Sequence, residues 1–87
     1  MIRIHLLELL GRKHWTTQAK LARVTGIRPT TISEFAREIA TSITLDNIDL
    51  ICEALDCQPG DLMTFEPNEI PRIERNQQGE PIRPVKD

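Results

Sequence analysis

The chain has 87 residues, a net charge of −2, two cysteines and no tyrosine. That length allows one small domain with one modest core, and with only Trp15, Phe35 and Phe65 aromatic, aliphatic side chains must build it. No apolar run approaches the ~18–20 residues that span a bilayer, the start MIRIHLLELLGRKHW carries no small-residue cleavage site, and Cys52 and Cys57 suit a reducing cytoplasm.

Residues 2–13 read as a first helix, with Ile2, Leu6, Leu7, Leu9 and Leu10 as its buried stripe. His5 sits among them as a partly exposed helix residue rather than a ligand. His14 and Trp15 fall in the connection, where Trp15 packs over the edge of the core. Thr16 or Thr17 then supplies an N-cap, because a hydroxyl oxygen can accept from an orphan N–H of the next helix.

The stretch Gln18 to Arg37, QAKLARVTGIRPTTISEFAR, reads as two short helices joined by a tight turn. Gly26 is the turn, since it enters the left-handed region without steric penalty. Leu21, Ala22 and Val24 form the apolar face before it; Ile32, Phe35, Ala36 and Ile39 form the one after it. Ala22 is small where the second helix must approach, Ile27 plugs the turn, and Pro29 suits a first helical position.

Gln18, Leu21, Ala22, Gly26, Ile27, Ile32, Ser33 and Phe35 together resemble the helix-turn-helix of Cro/lambda-repressor-like (XRE family) regulators. The resemblance implies that the second helix lies in the DNA major groove while the first crosses the backbone. It diverges after Arg37. Many members end the recognition helix with Asn-Gly and a basic residue, whereas this chain runs Glu38-Ile39-Ala40-Thr41-Ser42-Ile43. Either the helix continues a further turn, or burial of Ile39 and Ile43 holds the loop.

Thr44 caps a fourth helix over residues 45–56, with Leu45, Ile48, Cys52 and Leu55 on one face and Ile51 beside them. Asp46, Asp49, Glu53 and Asp56 face outward. Gln58-Pro59-Gly60-Asp61-Leu62-Met63 turns into a short fifth helix, an ending that resembles a small single-domain branch of the same family. Cys52 and Cys57 share no helical face at a spacing of five, have no Cys-x-x-Cys pattern, and lack the further ligands zinc would need. They read as small hydrophobes, with no metal and no cofactor implied.

Composition changes after Phe65. Glu66 to Asp87 holds Pro67, Pro71, Pro81 and Pro84 with alternating charge, a mixture that favours disorder over folding. The competing reading is a hairpin around Asn76-Gln77-Gln78-Gly79, held by a partner subunit. The expected organisation is therefore an all-α, lambda-repressor-like domain of five short helices over 1–66, its helix-turn-helix at 17–38. Residues 67–87 follow as an irregular tail, disordered or serving as a dimerisation arm.

No catalytic constellation is visible: both histidines lie in the first 14 residues without a nearby nucleophile, and no Gly-rich phosphate loop occurs. An enzyme is not expected. Residues 1–43 carry seven basic against three acidic side chains, a net +4, while residues 44–87 carry four against ten, a net −6. The first half would meet a phosphate backbone and the second would be repelled by it.

The resemblance implies binding of double-stranded DNA as a homodimer, and hence a transcription regulator, a repressor, of bacterial or phage type. Arg28, Thr30, Thr31, Ser33, Glu34 and Arg37 would face the groove, with Thr17 and Gln18 on the backbone. The acidic fourth and fifth helices would hold the dimer surface. The alternative is an antitoxin or anti-regulator that uses the same fold on a protein, favoured by Glu34 and Glu38 on that surface and by the missing Asn-Gly.

Overall fold

The computed structural model describes residues 1–13 and 17–85; the positions expected for Trp15 and for a Thr16 cap lie outside those residues. The element order is β1 (Ile2–Ile4), α1 (Leu6–Arg12), α2 (Gln18–Thr25), α3 (Pro29–Ala36), α4 (Leu45–Leu55), α5 (Pro59–Leu62), β2 (Met63–Phe65), β3 (Ile73–Arg75) and β4 (Pro81–Pro84). The described residues form five short helices, but the fold is not purely helical. Two small antiparallel sheets, β1–β2 and β3–β4, accompany them.

Among the described residues the core is aliphatic apart from Phe35. Leu6, Leu9 and Leu10 of α1, Leu21 and Ala22 of α2, Ile27, and Ile32, Phe35 and Ala36 of α3 meet Ile48, Ile51, Leu55 and Leu62. No buried side-chain polar atom lacks a partner among the described residues, so no unmet polar group subtracts from the apolar gain of about 25 cal/mol per Å². The face expected from Val24, Ile39 and Leu45 does not form: all three are exposed, Leu45 at 87%. Leu45 is the first residue of α4 and Ile39 lies beyond α3, where periodicity no longer fixes orientation, and Val24 lies in the last turn of α2 on its exposed side.

The first helix is shorter than its periodicity suggests. Ile2 to Ile4 leave it to pair with β2, with Ile2 opposite Phe65, Arg3 opposite Thr64 and Ile4 opposite Met63. The ladder continues through His5 N–H to the Leu62 carbonyl at 2.8 Å and Glu66 N–H to the Met1 carbonyl at 2.8 Å. Ile2 and Leu7 consequently stand exposed. His5 occupies the N-cap position of α1, and its Nε2 lies 2.6 Å from the Thr64 hydroxyl, tying the helix start to β2.

Three caps punctuate the chain. Thr17 and Thr44 each accept from the third helical amide, Lys20 at 3.0 Å and Asn47 at 3.1 Å. Gln58 N–H donates to the Asp61 carboxylate at 3.0 Å, closing the start of α5. Gly26 ends α2 at φ 76°, ψ 4°, its N–H bonded to the Ala22 carbonyl at 2.9 Å.

Residues 73–84 form a hairpin rather than the irregular tail that composition favours. The Asn76 side-chain oxygen accepts from both Gln78 and Glu80 N–H at 2.9 Å, and Gly79 takes φ 82°. One side chain thus organises the whole turn. The hairpin stands away from the helices: the radius of gyration is 16.0 Å, against about 12 Å for a compact chain of this length.

Gly26→Val is expected to cost ~1–3 kcal/mol, because a β-branched residue is strained at positive φ. No atom crowds a Cβ there, so the loss measured by denaturant melts isolates backbone strain. An unchanged midpoint would remove the assigned turn.

Candidate nucleic-acid interface

Helix α3 is amphipathic by position. Ile32, Phe35 and Ala36 are buried, while Thr30, Ser33, Glu34 and Arg37 recur at three, four and seven residues on the opposite side. Thr30, Glu34 and Arg37 are exposed and Ser33 is half-buried. Arg28 precedes the helix at φ −60°, ψ 138°, the extended backbone that a following proline imposes. Thr31 is half-buried, about 100° round the helix from Thr30, and lies on the flank of the stripe rather than within it.

At the start of α2 the Thr17 hydroxyl oxygen and carbonyl satisfy the amides of Lys20 and Leu21. The Gln18 and Ala19 amides have no acceptor within the helix, as at any helix start. Such donors suit an anionic oxygen. Thr17 is exposed and Gln18 half-buried.

Charge is distributed more sharply than the sequence total suggests. Arg3 is committed to Glu38, Arg12 lies 3.9 Å from Glu8, and Lys13 Nζ donates to the Asp56 carbonyl at 3.0 Å. Arg23, Arg28 and Arg37 form no ion pair among the described residues. Those three guanidinium groups, on α2 and at the two ends of α3, are the positive charge this face offers. Glu34 is also unpaired there and exposed.

Glu38 does not belong to this face. The helix stops at Ala36, Glu38 takes φ 62°, and Ile39 N–H returns to the Glu34 carbonyl at 3.0 Å while Glu38 N–H returns to Phe35 at 3.1 Å. This is a Schellman closure with glutamate in the left-handed place usually given to Gly. The expected extra helical turn is absent, and Ile43 packs partly against the core while Ile39 does not. The Glu38 carboxylate turns to β1, accepting two Arg3 nitrogens at 3.0 and 3.1 Å and the Ile4 N–H at 3.2 Å. Sequence spacing gave no sign of this, because the partners lie 34 and 35 residues apart.

The cysteines are closer than their spacing implies. Asp56 takes φ 50°, and Cys57 N–H folds back to the Cys52 carbonyl at 3.0 Å, which makes the two residues neighbours. Burial, then the neighbouring Cys52 and Asp61, push the Cys57 thiol up to about 11, with Lys13 opposing. Both thiols are free, and no cluster of three potential metal ligands occurs among the described residues.

This geometry, a glycine-turned helix pair with an exposed polar stripe on its second helix, is that of a helix-turn-helix DNA-binding domain. The chain belongs to the Cro/C1-type helix-turn-helix DNA-binding family, whose profile matches residues 5–68. That family consists of DNA-binding regulators rather than enzymes. The chain is also similar to YozG of Bacillus subtilis (strain 168), described as an uncharacterized HTH-type transcriptional regulator. The two are 29% identical over 63 residues, covering 72% of this chain and 75% of that protein. No solved structure matches significantly. No helix is long and apolar enough to cross a membrane among the described residues.

Two outcomes follow from this site. Glu38→Ala should cost ~1–2 kcal/mol, losing a charge-assisted contact while keeping the left-handed strain. Glu38→Gly should cost less, since strain is relieved as the contact is lost; equal losses in denaturant melts would contradict the closure. Because its thiol is held protonated below about pH 11, Cys57 should alkylate with iodoacetamide far more slowly at pH 8 in the folded chain than in urea. Between pH 9 and 11 the unfolded thiol ionises first, so this group's contribution to stability is lost as pH rises through that window. Equal labelling rates in the two states would contradict the burial.

Proposed function

We propose that the chain is a sequence-specific, double-stranded-DNA-binding transcription regulator of bacterial or phage type. It works in the cytoplasm as a homodimer and represses where its site overlaps a promoter. The observation that carries the reading is the α3 stripe. Thr30, Ser33, Glu34 and Arg37 point away from the core with Arg28 at the entry, and neither guanidinium is neutralised among the described residues. Arg28 and Arg37 reach guanine edges or phosphates, and the Thr30 methyl meets a thymine methyl. Thr31, on the flank, and Thr17 and Gln18, with the open α2 amides, take phosphate oxygens. The name of the Bacillus relative points the same way.

A protein-interaction role, as in an antitoxin, keeps one observation in its favour: Glu34 stands unpaired in the middle of the stripe. Glu38, engaged with Arg3, supports neither reading. In a groove, a carboxylate is favourable where it accepts from a cytosine amino group and repelled elsewhere.

Selection of bound duplexes from a random pool, followed by titrations with single-base variants, tests the reading. The enriched half-sites should be spaced by about one helical turn. Affinity should fall with salt at a log–log slope near −0.9 for each phosphate neutralised, and Arg23→Ala should shallow that slope by about one phosphate if its guanidinium sits on the backbone. Glu34→Ala should relax discrimination at one base pair by ~1–3 kcal/mol. No enrichment from the pool, or salt-independent binding, would overturn the DNA-reading role.

A further inference from the structure

Two strands alone are marginal in water, and the β3–β4 hairpin has an apolar face with nothing over it. Cross-strand partners share a face, so Ile73 lies beside Pro84, while Ile82 is the unpaired residue at the register shift between Glu74 and Arg75. Ile73 and Ile82 remain 39% and 55% exposed. The opposite face is charged. Glu74 is paired there with Arg83, while the Arg72 side chain makes no ion pair or hydrogen bond among the described residues.

The two edges of this hairpin are unequal. Val85 N–H donates to the Arg72 carbonyl at 2.8 Å, which makes 72–85 a hydrogen-bonded pair. By alternation 74–83 is the next, and between them 73 and 84 turn their backbone groups outward. On β4 the outward residue is Pro84, which has no N–H, and Pro81 removes another donor from the same strand. That edge is blunted. On β3 the outward residue is Ile73, which offers both an N–H and a carbonyl.

We propose that the β3 edge is the dimerisation surface and that its occupant is the β3 strand of a second copy of this chain. The two strands run antiparallel across a two-fold axis at Ile73. An N–H and a carbonyl on one residue are the set that such an axis satisfies, each Ile73 donating to and accepting from the other. The register this fixes is also electrostatically self-complementary. Arg72 falls opposite the second copy's Glu74, and Glu74 opposite the second copy's Arg72, on the face where each Glu74 already holds Arg83. The unpaired Arg72 side chain thereby gains a carboxylate, and a four-stranded sheet places both Ile73 and both Pro84 on one face.

The acidic helices α4 and α5 fit a self-contact less well. Asp46, Asp49, Glu53 and Asp56 would meet their own copies across a two-fold axis and repel.

This inference rests on the chain acting as a paired DNA binder, but its test needs no DNA. Sedimentation equilibrium of the full chain should show a dimer. Arg72→Glu sets Glu against Glu74 twice, and Glu74→Arg with Arg83→Glu sets Arg against Arg72 twice while keeping the pair inside the hairpin. Each variant alone should associate at least about tenfold more weakly than the parent, since like charges directly opposed destabilise a strand pair. Mixed in equal amounts, the two restore both opposite-charge contacts and should recover the dimer. Far-UV circular dichroism should be unchanged, because every core residue lies at or before Leu62. A monomeric parent at the highest soluble concentration, or a mixture no tighter than its separate components, would overturn the proposal. Failure to select DNA from a random pool would leave this result standing, and a monomer in sedimentation would leave the α3 reading standing.

Discussion

The inner face of α3 is the constraint on which everything else depends. Phe35, Ile32 and Ala36 are nearly inaccessible and sit where α1, α2 and α3 converge. Their burial fixes the rotation of the helix about its axis, and that rotation alone decides which side chains stand outside. Deleting a buried aromatic ring of this kind costs ~3–5 kcal/mol, a large part of the stability of so small a domain. A core side chain therefore governs the interface without belonging to it. Thr30, Glu34 and Arg37 are presented because Phe35 cannot be.

Glu38 makes the same helix end where it does. An uncapped α3 running into Glu38-Ile39-Ala40 has no obvious reason to stop, and glutamate enters the left-handed region at a cost of order 1–3 kcal/mol. The contacts to Arg3 and the Ile4 amide offset that cost by giving the carboxylate three donors at once. The small β1–β2 sheet supplies those donors, and it exists because Met63 to Phe65 return beside the N-terminus. A strand that looks incidental to a helical domain is thus part of the device that terminates the recognition helix. It also takes Arg3 out of the pool of charges available to phosphate.

Electrostatics follow from these commitments. An acidic protein with a basic half is compatible with DNA only through the basic charges left over, and Arg23, Arg28 and Arg37, in α2 and at the two ends of α3, make no ion pair among the described residues. The acidic α4 and the hairpin lie elsewhere in the sequence and add no positive charge beyond Arg72, Arg75, Arg83 and Lys86.

The sequence by itself determined the helix pair, its glycine turn, a cap at Thr16 or Thr17, the cap at Thr44 and most of the core. All of these depend on residues within about one or two helical turns of each other, where periodicity and capping chemistry act. Arg28, Thr30, Thr31, Ser33, Glu34 and Arg37 come from the family resemblance rather than from these local rules, and a hairpin around Asn76 to Gly79 is the competing reading to a disordered tail. Only the tertiary structure decided the rest. That Ile2 to Ile4 pair as a strand requires a partner sixty residues away; that Glu38 faces β1 requires Arg3; that Cys57 meets Cys52 requires the left-handed turn at Asp56. Val24, Ile39 and Leu45 carry the right side chains for a core and lie outside it, because at helix ends the chain's path, not its period, sets direction. Long-range pairing leaves no mark in a local pattern, which is why the strand, the Glu38 contact and the cysteine approach could not be read from the sequence.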